Sequence, residues 1–289
     1  MKSKTLGARA GLSVSMIIFG TIALFTRSIS LSSGELALMR AAMAACFVAA
    51  FLRLSGRRLS LSSIRAELPV LLFSGVAMGF NWILLFEAYR YTTVSIATLS
   101  YYFAPVIVTA VSPFLFKERM SRMQVICFLM ATIGLALVIG VGETSASGSH
   151  MKGILFGLGA ACLYAAVILL NKRIKSVSGL ERTLIQFIGA ILVLTPYVLL
   201  SGGFHLGSLT PAGTLCLLVL GLVHTGMAYC LYFSALRDLP GHEAAILSYI
   251  DPLVAVLLSV LVLGEAMSPL QAIGGAMILG FTLLNERCG

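Results

Sequence analysis

KERMSRMQ (117–124) and GEAMSPLQ (264–271) are two versions of one phrase. An offset of 147 residues lays Glu118 on Glu265, Met120 on Met267, Ser121 on Ser268 and Gln124 on Gln271. Working outward, the same offset pairs Pro105 with Pro252, Tyr102 with Tyr249, Gly79 with Gly226, Phe86 with Phe233 and Ala97 with Ala244. Nearer the start of each half the offset is 146, pairing Glu35 with Glu181 and Arg40 with Gln186. The chain therefore reads as two copies of one unit, residues 1–147 and 148–289.

Each copy is too apolar for water. Of 289 residues 59% are hydrophobic and 11% charged, with a mean hydropathy of +1.01. A soluble chain carries about 25% charged residues. Apolar runs of span length, about 20 residues each, fall near 12–30, 34–54, 68–89, 93–116, 122–141, 153–175, 179–201, 210–235, 242–263 and 269–285. They are continuous, whereas a membrane β-barrel needs alternation. The fold expected is an all-α integral membrane protein of ten transmembrane helices. The first run is too long for a signal-peptide core and lacks a clear small-residue cleavage site, so no removed leader is expected.

Five spans per copy is an odd number, so the second copy enters the bilayer in the opposite sense. The ten helices then form two inverted five-helix repeats. KERMSR is basic while GEAMSP has no basic residue, as two loops on opposite faces would be. With the N-terminus cytoplasmic, 16 basic residues fall inside, three (Arg27, Arg90, Lys152) outside, and Arg40 within a span. This positive-inside bias predicts a cell-membrane protein with both termini cytoplasmic. It also accounts for the net charge of +9 through lipid headgroups, not nucleic acid. Inverted repeats are a recurring plan of secondary transporters, with the site at the midplane between the halves.

Five plus five spans, a proline in the fourth and ninth, a glutamate after each of these, and FEAYRYTTVSIATLSYYFAPV (86–106) together resemble the EamA branch of the drug/metabolite transporter superfamily. The resemblance covers the whole chain. It implies ten helices around a central cavity lined by both halves. It implies export of amino acids or other small metabolites in many members, and uptake in some.

The candidate site residues are the polar groups inside the spans. Asp251-Pro252 sits in a run, Ala244 to Leu263, with no other charge. Proline removes a backbone donor and breaks the helix, so Pro105 and Pro252 mark helix breaks, and freed backbone is tolerated where it lines a cavity. An ionised carboxylate facing lipid is costly, so Asp251 should face the interior, opposing Arg40 and facing Tyr102. It reads as a proton-coupling group, a ligand for a cationic substrate, a structural ion pair, or a carboxylate holding a helix end. Its repeat partner is Ala104, which carries no acid. Arg40 offers a planar fork for a carboxylate, a pairing with Asp251, or a charge snorkelling outward. Tyr102 and Tyr249, each three residues before a repeat-equivalent proline, are placed at the cavity, with Tyr101, Tyr164, Tyr229 and Tyr232 as weaker candidates. Asn81, Trp82 and Gln186 complete the substrate-binding set. His224 joins Asp251 as a coupling candidate, since imidazole titrates near neutral pH. Glu87 with Arg90 reads as a rim ion pair, Glu118 and Glu265 as loop-ordering groups, and Gly75 and Gly79 as helix-packing positions.

No H-E-x-x-H, G-x-S-x-G or P-loop motif occurs, and the six cysteines show no C-x-x-C or zinc spacing. No enzyme, cofactor or metal is expected. The string GSHM (148–151), which a cleaved expression tag often leaves, is placed in a loop. The partners expected are a small-molecule substrate and membrane lipid. One chain holds both halves, so a monomer suffices and a homodimer is compatible. Two substrate readings stay open. A zwitterionic amino acid would set its carboxylate on Arg40 and its amine near Asp251. An organic cation or quaternary amine would sit among Trp82, Tyr102 and Tyr249. A channel or non-transporting receptor is the remoter alternative.

Overall fold

The structure is a computed structural model that describes residues 2–56, 59–116, 121–139, 148–236, 239 and 247–288. Among these residues there are helices and connections and no strand. The first half contributes α1 (Lys2–Gly20), α2 (Ile22–Thr26), α3 (Ser33–Leu54), α4 (Leu61–Tyr91), α5 (Val94–Tyr101), α6 (Ala104–Phe116) and α7 (Arg122–Ile139). The second half contributes α8 (Gly148–Arg173), α9 (Gly179–Leu200), a 3₁₀ turn (Leu206–Ser208), α10 (Pro211–Leu218), a π-helical stretch (Val219–Met227), α11 (Ala228–Leu236), α12 (Ile250–Leu261) and α13 (Pro269–Cys288). Among the described residues seven helical stretches are long and apolar enough to cross a membrane, and three shorter apolar helices accompany them. Large apolar side chains such as Phe73, Leu192, Leu200 and Leu261 face outward, as a surface turned to lipid requires.

The opening phrase is a pair of helix starts. Ser121 accepts from the backbone N–H of Gln124 at 3.2 Å, and Gln124 Oε1 accepts from the N–H of Ser121 at 2.8 Å. Ser268 and Gln271 repeat the box at 3.3 and 3.0 Å. Each box satisfies two donors that a helix start leaves unpaired. A second pair opens α3 and α9, where Ser32 and Glu35 form one box and Ser178 and Glu181 its counterpart. These glutamates also cross between halves. Glu35 Oε1 accepts from the N–H of His205 at 2.5 Å, and Glu181 Oε1 accepts from the N–H of Ser60 at 2.7 Å.

Glu265 orders the turn before α13. It pairs with Arg27, accepts from the hydroxyl of Ser259, and accepts from the N–H of Val94 at 2.7 Å. Lys117, Glu118 and Arg119, the start of the partner phrase, lie outside the described residues, as do Arg57, Arg58, Arg237 and Ala244.

Glycines set the closest crossings. A side chain at Gly134 would meet the backbone of Gly274, and one at Gly274 the backbone of Gly134, which locks α7 to α13. A side chain at Gly75 would strike the backbone of Gln186, so α4 and α9 are held equally close.

Several boundaries differ from the sequence reading. α4 begins at Leu61, because the polar turn 61–67 continues the helix beyond the apolar run and places Glu67 to accept from Lys175 N–H at 3.0 Å and Ser176 N–H at 3.3 Å. GSHM forms the first turn of α8, not a loop, and His150 Nδ1 meets Thr92 Oγ1 at 2.8 Å. The prolines do not kink helix middles. Pro105 is the second residue of α6 and Pro252 the third of α12, where the absent N–H costs nothing. The breaks fall just before them, at Tyr102–Phe103 and at Tyr249. Tyr102 (φ −71, ψ 4) and Tyr249 (φ −73, ψ −7) adopt the same turn, one repeat apart.

Candidate functional site

Arg40, in the second turn of α3, is 3% exposed. It does not snorkel. Its Nε donates to Thr225 Oγ1 at 2.5 Å, and its guanidinium carbon lies 4.5 Å from the Trp82 ring centroid and 5.8 Å from that of Phe86. Both rings lie within cation–π range. Among the described residues no carboxylate lies within ion-pair distance of Arg40, and its two Nη groups make no hydrogen bond. The fork that would bind a carboxylate in bidentate fashion is held by one edge and unbonded at the other. The aromatic wall runs on from Trp82 to Phe187 (5.8 Å), from Phe187 to Tyr229 (5.5 Å) and from Tyr229 to Phe19 (5.2 Å).

Asp251 lies in the first turn of α12 and is partly buried. A helix start carries partial positive charge and suits a carboxylate. Tyr102 donates its hydroxyl to Asp251 Oδ2 at 2.5 Å, across 149 residues and between the two repeat-equivalent breaks. Tyr101 stands against Tyr102 (5.8 Å) and stacks on Tyr164 (5.2 Å). Among the described residues Arg40 and Asp251 make no ion pair, so the direct Arg40–Asp251 pairing is not formed. Each is held by a hydroxyl instead.

Gly20, the last residue of α1, sits against Asp251. A methyl group there would come within 2.7 Å of the Asp251 carbonyl oxygen. The next residue, Thr21, meets His224 Nε2 at 2.8 Å, and His224 directly precedes Thr225. The break Gly20–Thr21 thus bridges the Asp251 end and the Arg40 end of the site.

The amides play a different part. Gln186 Nε2 donates to Ser74 Oγ at 2.7 Å and Asn171 Oδ1 at 2.6 Å, joining α9 to α4 and α8. Asn81 Nδ2 donates to the Ala160 carbonyl at 2.6 Å, joining α4 to α8. Both are committed to helix joints. Trp82 packs under Arg40, and Tyr249 is 8% exposed at its break. Glu87 and Arg90 pair at 3.3 Å on the surface. Among the described residues no cluster of three His, Cys, Asp or Glu side chains is placed to hold a metal.

Sequence reading missed Thr225, Thr21 and the π-helical stretch. One signal was present. The first half reads GVAMG (75–79) where the second reads GLVHTG (221–226), so the repeat offset grows from 146 to 147 inside that stretch. One inserted residue in a helix is accommodated as a π-bulge, a form frequent at functional sites. Here it presents His224 and Thr225, and Thr225 Oγ1 donates five residues back to the Leu220 carbonyl at 2.9 Å.

Known proteins share this plan. The EamA-like transporter family profile matches residues 10–140 and again 151–286. An uncharacterized transporter, YxxF, of Bacillus subtilis is 30% identical over 95% of this chain and 88% of its own. The threonine/homoserine exporter RhtA of Escherichia coli is 27% identical over 75% of this chain and 72% of its own. A probable amino-acid metabolite efflux pump of Salmonella typhimurium is 27% identical over 61% and 62%. One solved crystal structure superposes with a TM-score of 0.69, covering 98% of this chain and 97% of that one at 20% identity, which speaks for the fold alone.

Proposed function

The chain belongs to the EamA-like transporter family, and from that premise we propose that it is a secondary transporter that exports an amino acid or closely related metabolite across the cell membrane. The coarser statement, a multi-span membrane transporter, follows from the family. The finer one rests on a single observation: the buried guanidinium of Arg40, fixed by Thr225 and Trp82, with its outer fork unbonded among the described residues. A substrate carboxylate fits that fork, and the amine of the same zwitterion fits the Asp251 end. The exporters among its relatives favour the outward direction.

In this reading residues 1–147 and 148–289 are two inverted five-helix repeats, ten spans in all, with both termini cytoplasmic. The twin capping boxes and the twin breaks at Tyr102 and Tyr249 support it. Alternating access then moves the halves about a site that both contribute to. A second reading, an organic cation, draws on the tyrosines around Asp251.

Ligand-dependent thermal shift on the purified protein separates the two. The panel holds amino acids, their amides and quaternary amines, and a ligand that binds only the folded state raises Tm. Amino acids should stabilise and their amides should not, and Arg40→Gln should remove the response. Equal stabilisation by amides or quaternary amines would overturn the carboxylate reading in favour of the cation.

A further inference from the structure

His224 is 2% exposed, and both its ring nitrogens are engaged. Nδ1 faces the Val219 carbonyl oxygen at 3.2 Å, and Nε2 faces Thr21 Oγ1 at 2.8 Å. A carbonyl can only accept, so Nδ1 carries a proton whatever the charge of the ring. The Thr21 hydroxyl has one proton and two acceptors in reach, His224 Nε2 and the Ile18 carbonyl at 2.8 Å. With a neutral ring the hydroxyl donates to Nε2. With a second proton on the ring, Nε2 donates to the hydroxyl oxygen and the hydroxyl proton turns to Ile18. Every polar atom keeps a partner in both states, and the backbone need not move.

We propose that His224 and Thr21 form a proton-binding site whose occupancy is linked to a carboxylate on Arg40. The link rests on the carboxylate reading of Arg40 above. The charged group beside the ring is Arg40, from α3, whose Nε donates to Thr225, the residue that follows His224. α2 brings the Phe25 ring at 4.7 Å, α1 and α2 flank Thr21, and α11 brings Tyr229, which meets Phe187 at 5.5 Å. Asp251 meets Gly20 through its backbone carbonyl oxygen, while its carboxylate is held by Tyr102. The Arg40 charge opposes a second charge on His224, and a bound carboxylate offsets it. The proton is taken from water and returned to water. By linkage, a proton on His224 tightens carboxylate binding by the factor with which a carboxylate tightens proton binding.

The test is NMR of ¹⁵N-histidine-labelled protein in which His150, His205 and His242 are replaced by Gln, so that His224 reports alone. The neutral ring should be the Nδ1–H tautomer. Arg40→Gln should extend the protonated ring upward in pH by about one unit or more, the scale of ordinary coupling between sites. Formate, a bare carboxylate small enough for any fork, should do the same in the Arg40 protein and nothing in Arg40→Gln. Thr21→Ser should keep the behaviour. Thr21→Val should shrink the protonated fraction at fixed pH, because the cation loses the stronger hydrogen bond. An Nε2–H neutral tautomer, or identical titration with and without Arg40, would overturn the proton site. If Arg40→Gln moves the ring and formate does not, the carboxylate link falls with the carboxylate reading, while the proton site stands.

Discussion

Two helix crossings in this molecule lie at matching positions of its two halves and hold different things. At the first, α4 meets α9. Gly75 lies against the backbone of Gln186, Gly79 against Ala190 and Leu194, and the Gln186 amide is consumed by Ser74 and Asn171. At the second, the π-helical stretch meets α3. Gly221 faces the side chain of Met43 and Gly226 that of Phe47, and the residue matching Gln186 is Arg40. The first is a closed joint with its polar atoms used internally. The second is wedged by side chains, carries one extra residue, and presents an open cation. The two crossings lie at matching positions of the two halves and differ by one inserted residue and by Arg40 in place of Gln186.

The largest contrast should come from the matched pair Arg40 and Gln186. Arg40→Gln, which copies the joint residue into the site, should weaken binding of carboxylate ligands by about 2–5 kcal/mol, the range for truncating a buried charged partner. Transport in proteoliposomes should fall below detection. Gln186→Ala should leave ligand affinity near wild type and instead cost about 1–3 kcal/mol of stability, because Ser74 and Asn171 lose a buried partner. If Gln186→Ala abolishes binding while the protein stays folded, the two crossings share one cavity and the division is wrong.

The glycines give the next contrast. Gly75→Ala would force a methyl group into backbone that cannot retreat, at about 1–3 kcal/mol, read as lowered Tm. Gly221→Ala meets the movable Sδ and Cε of Met43 but also its Cβ at 2.8 Å, which shifts only with the α3 backbone, so it should also cost about 1–3 kcal/mol, with the strain falling on the helix that carries Arg40. Thr225→Val tests the hydroxyl that aims Arg40. It keeps the shape and removes the bond to Nε, so carboxylate affinity should drop about tenfold, the equivalent of one hydrogen bond to a charged group. Thr225→Ser should restore it.

The sequence disclosed the frame and one end of the site. Hydropathy marked the apolar helices, the offset marked the matching capping boxes and breaks, and Asp251-Pro252 stood out because charge and proline are both rare in such a run. The partnership with Tyr102 was legible because both residues neighbour repeat-equivalent prolines. Arg40 was visible as a buried charge, but its partner was not. Thr225 is a small hydroxyl 185 residues away, of a type that occurs throughout apolar helices, and nothing local distinguishes it. The helix partners of Gln186 and Asn81 were hidden for a related reason. An amide inside a membrane must find partners, and sequence does not tell whether a helix or a substrate supplies them. The clue that bore on the second end was the shift in offset between GVAMG and GLVHTG, a difference in length, not in composition.

The smallest effect tests the symmetry itself. Ser121 and Ser268 are repeat mates that cap α7 and α13 with the same box, formed with Gln124 and Gln271. Replacing either by Ala removes one N-cap, at about 1 kcal/mol. The caps stand at opposite ends of two helices that pack on each other through Gly134 and Gly274. If the halves are equivalent away from the site, Ser121→Ala and Ser268→Ala should lower Tm by the same amount, and the double variant by the sum, since distant sites add. Neither should alter ligand affinity. A larger loss at Ser268 would mean that the neighbouring Glu265, which ties that turn to Arg27 and to the start of α5, has made this end of the bundle rigid. The asymmetry would then extend beyond the Arg40 crossing to the rim.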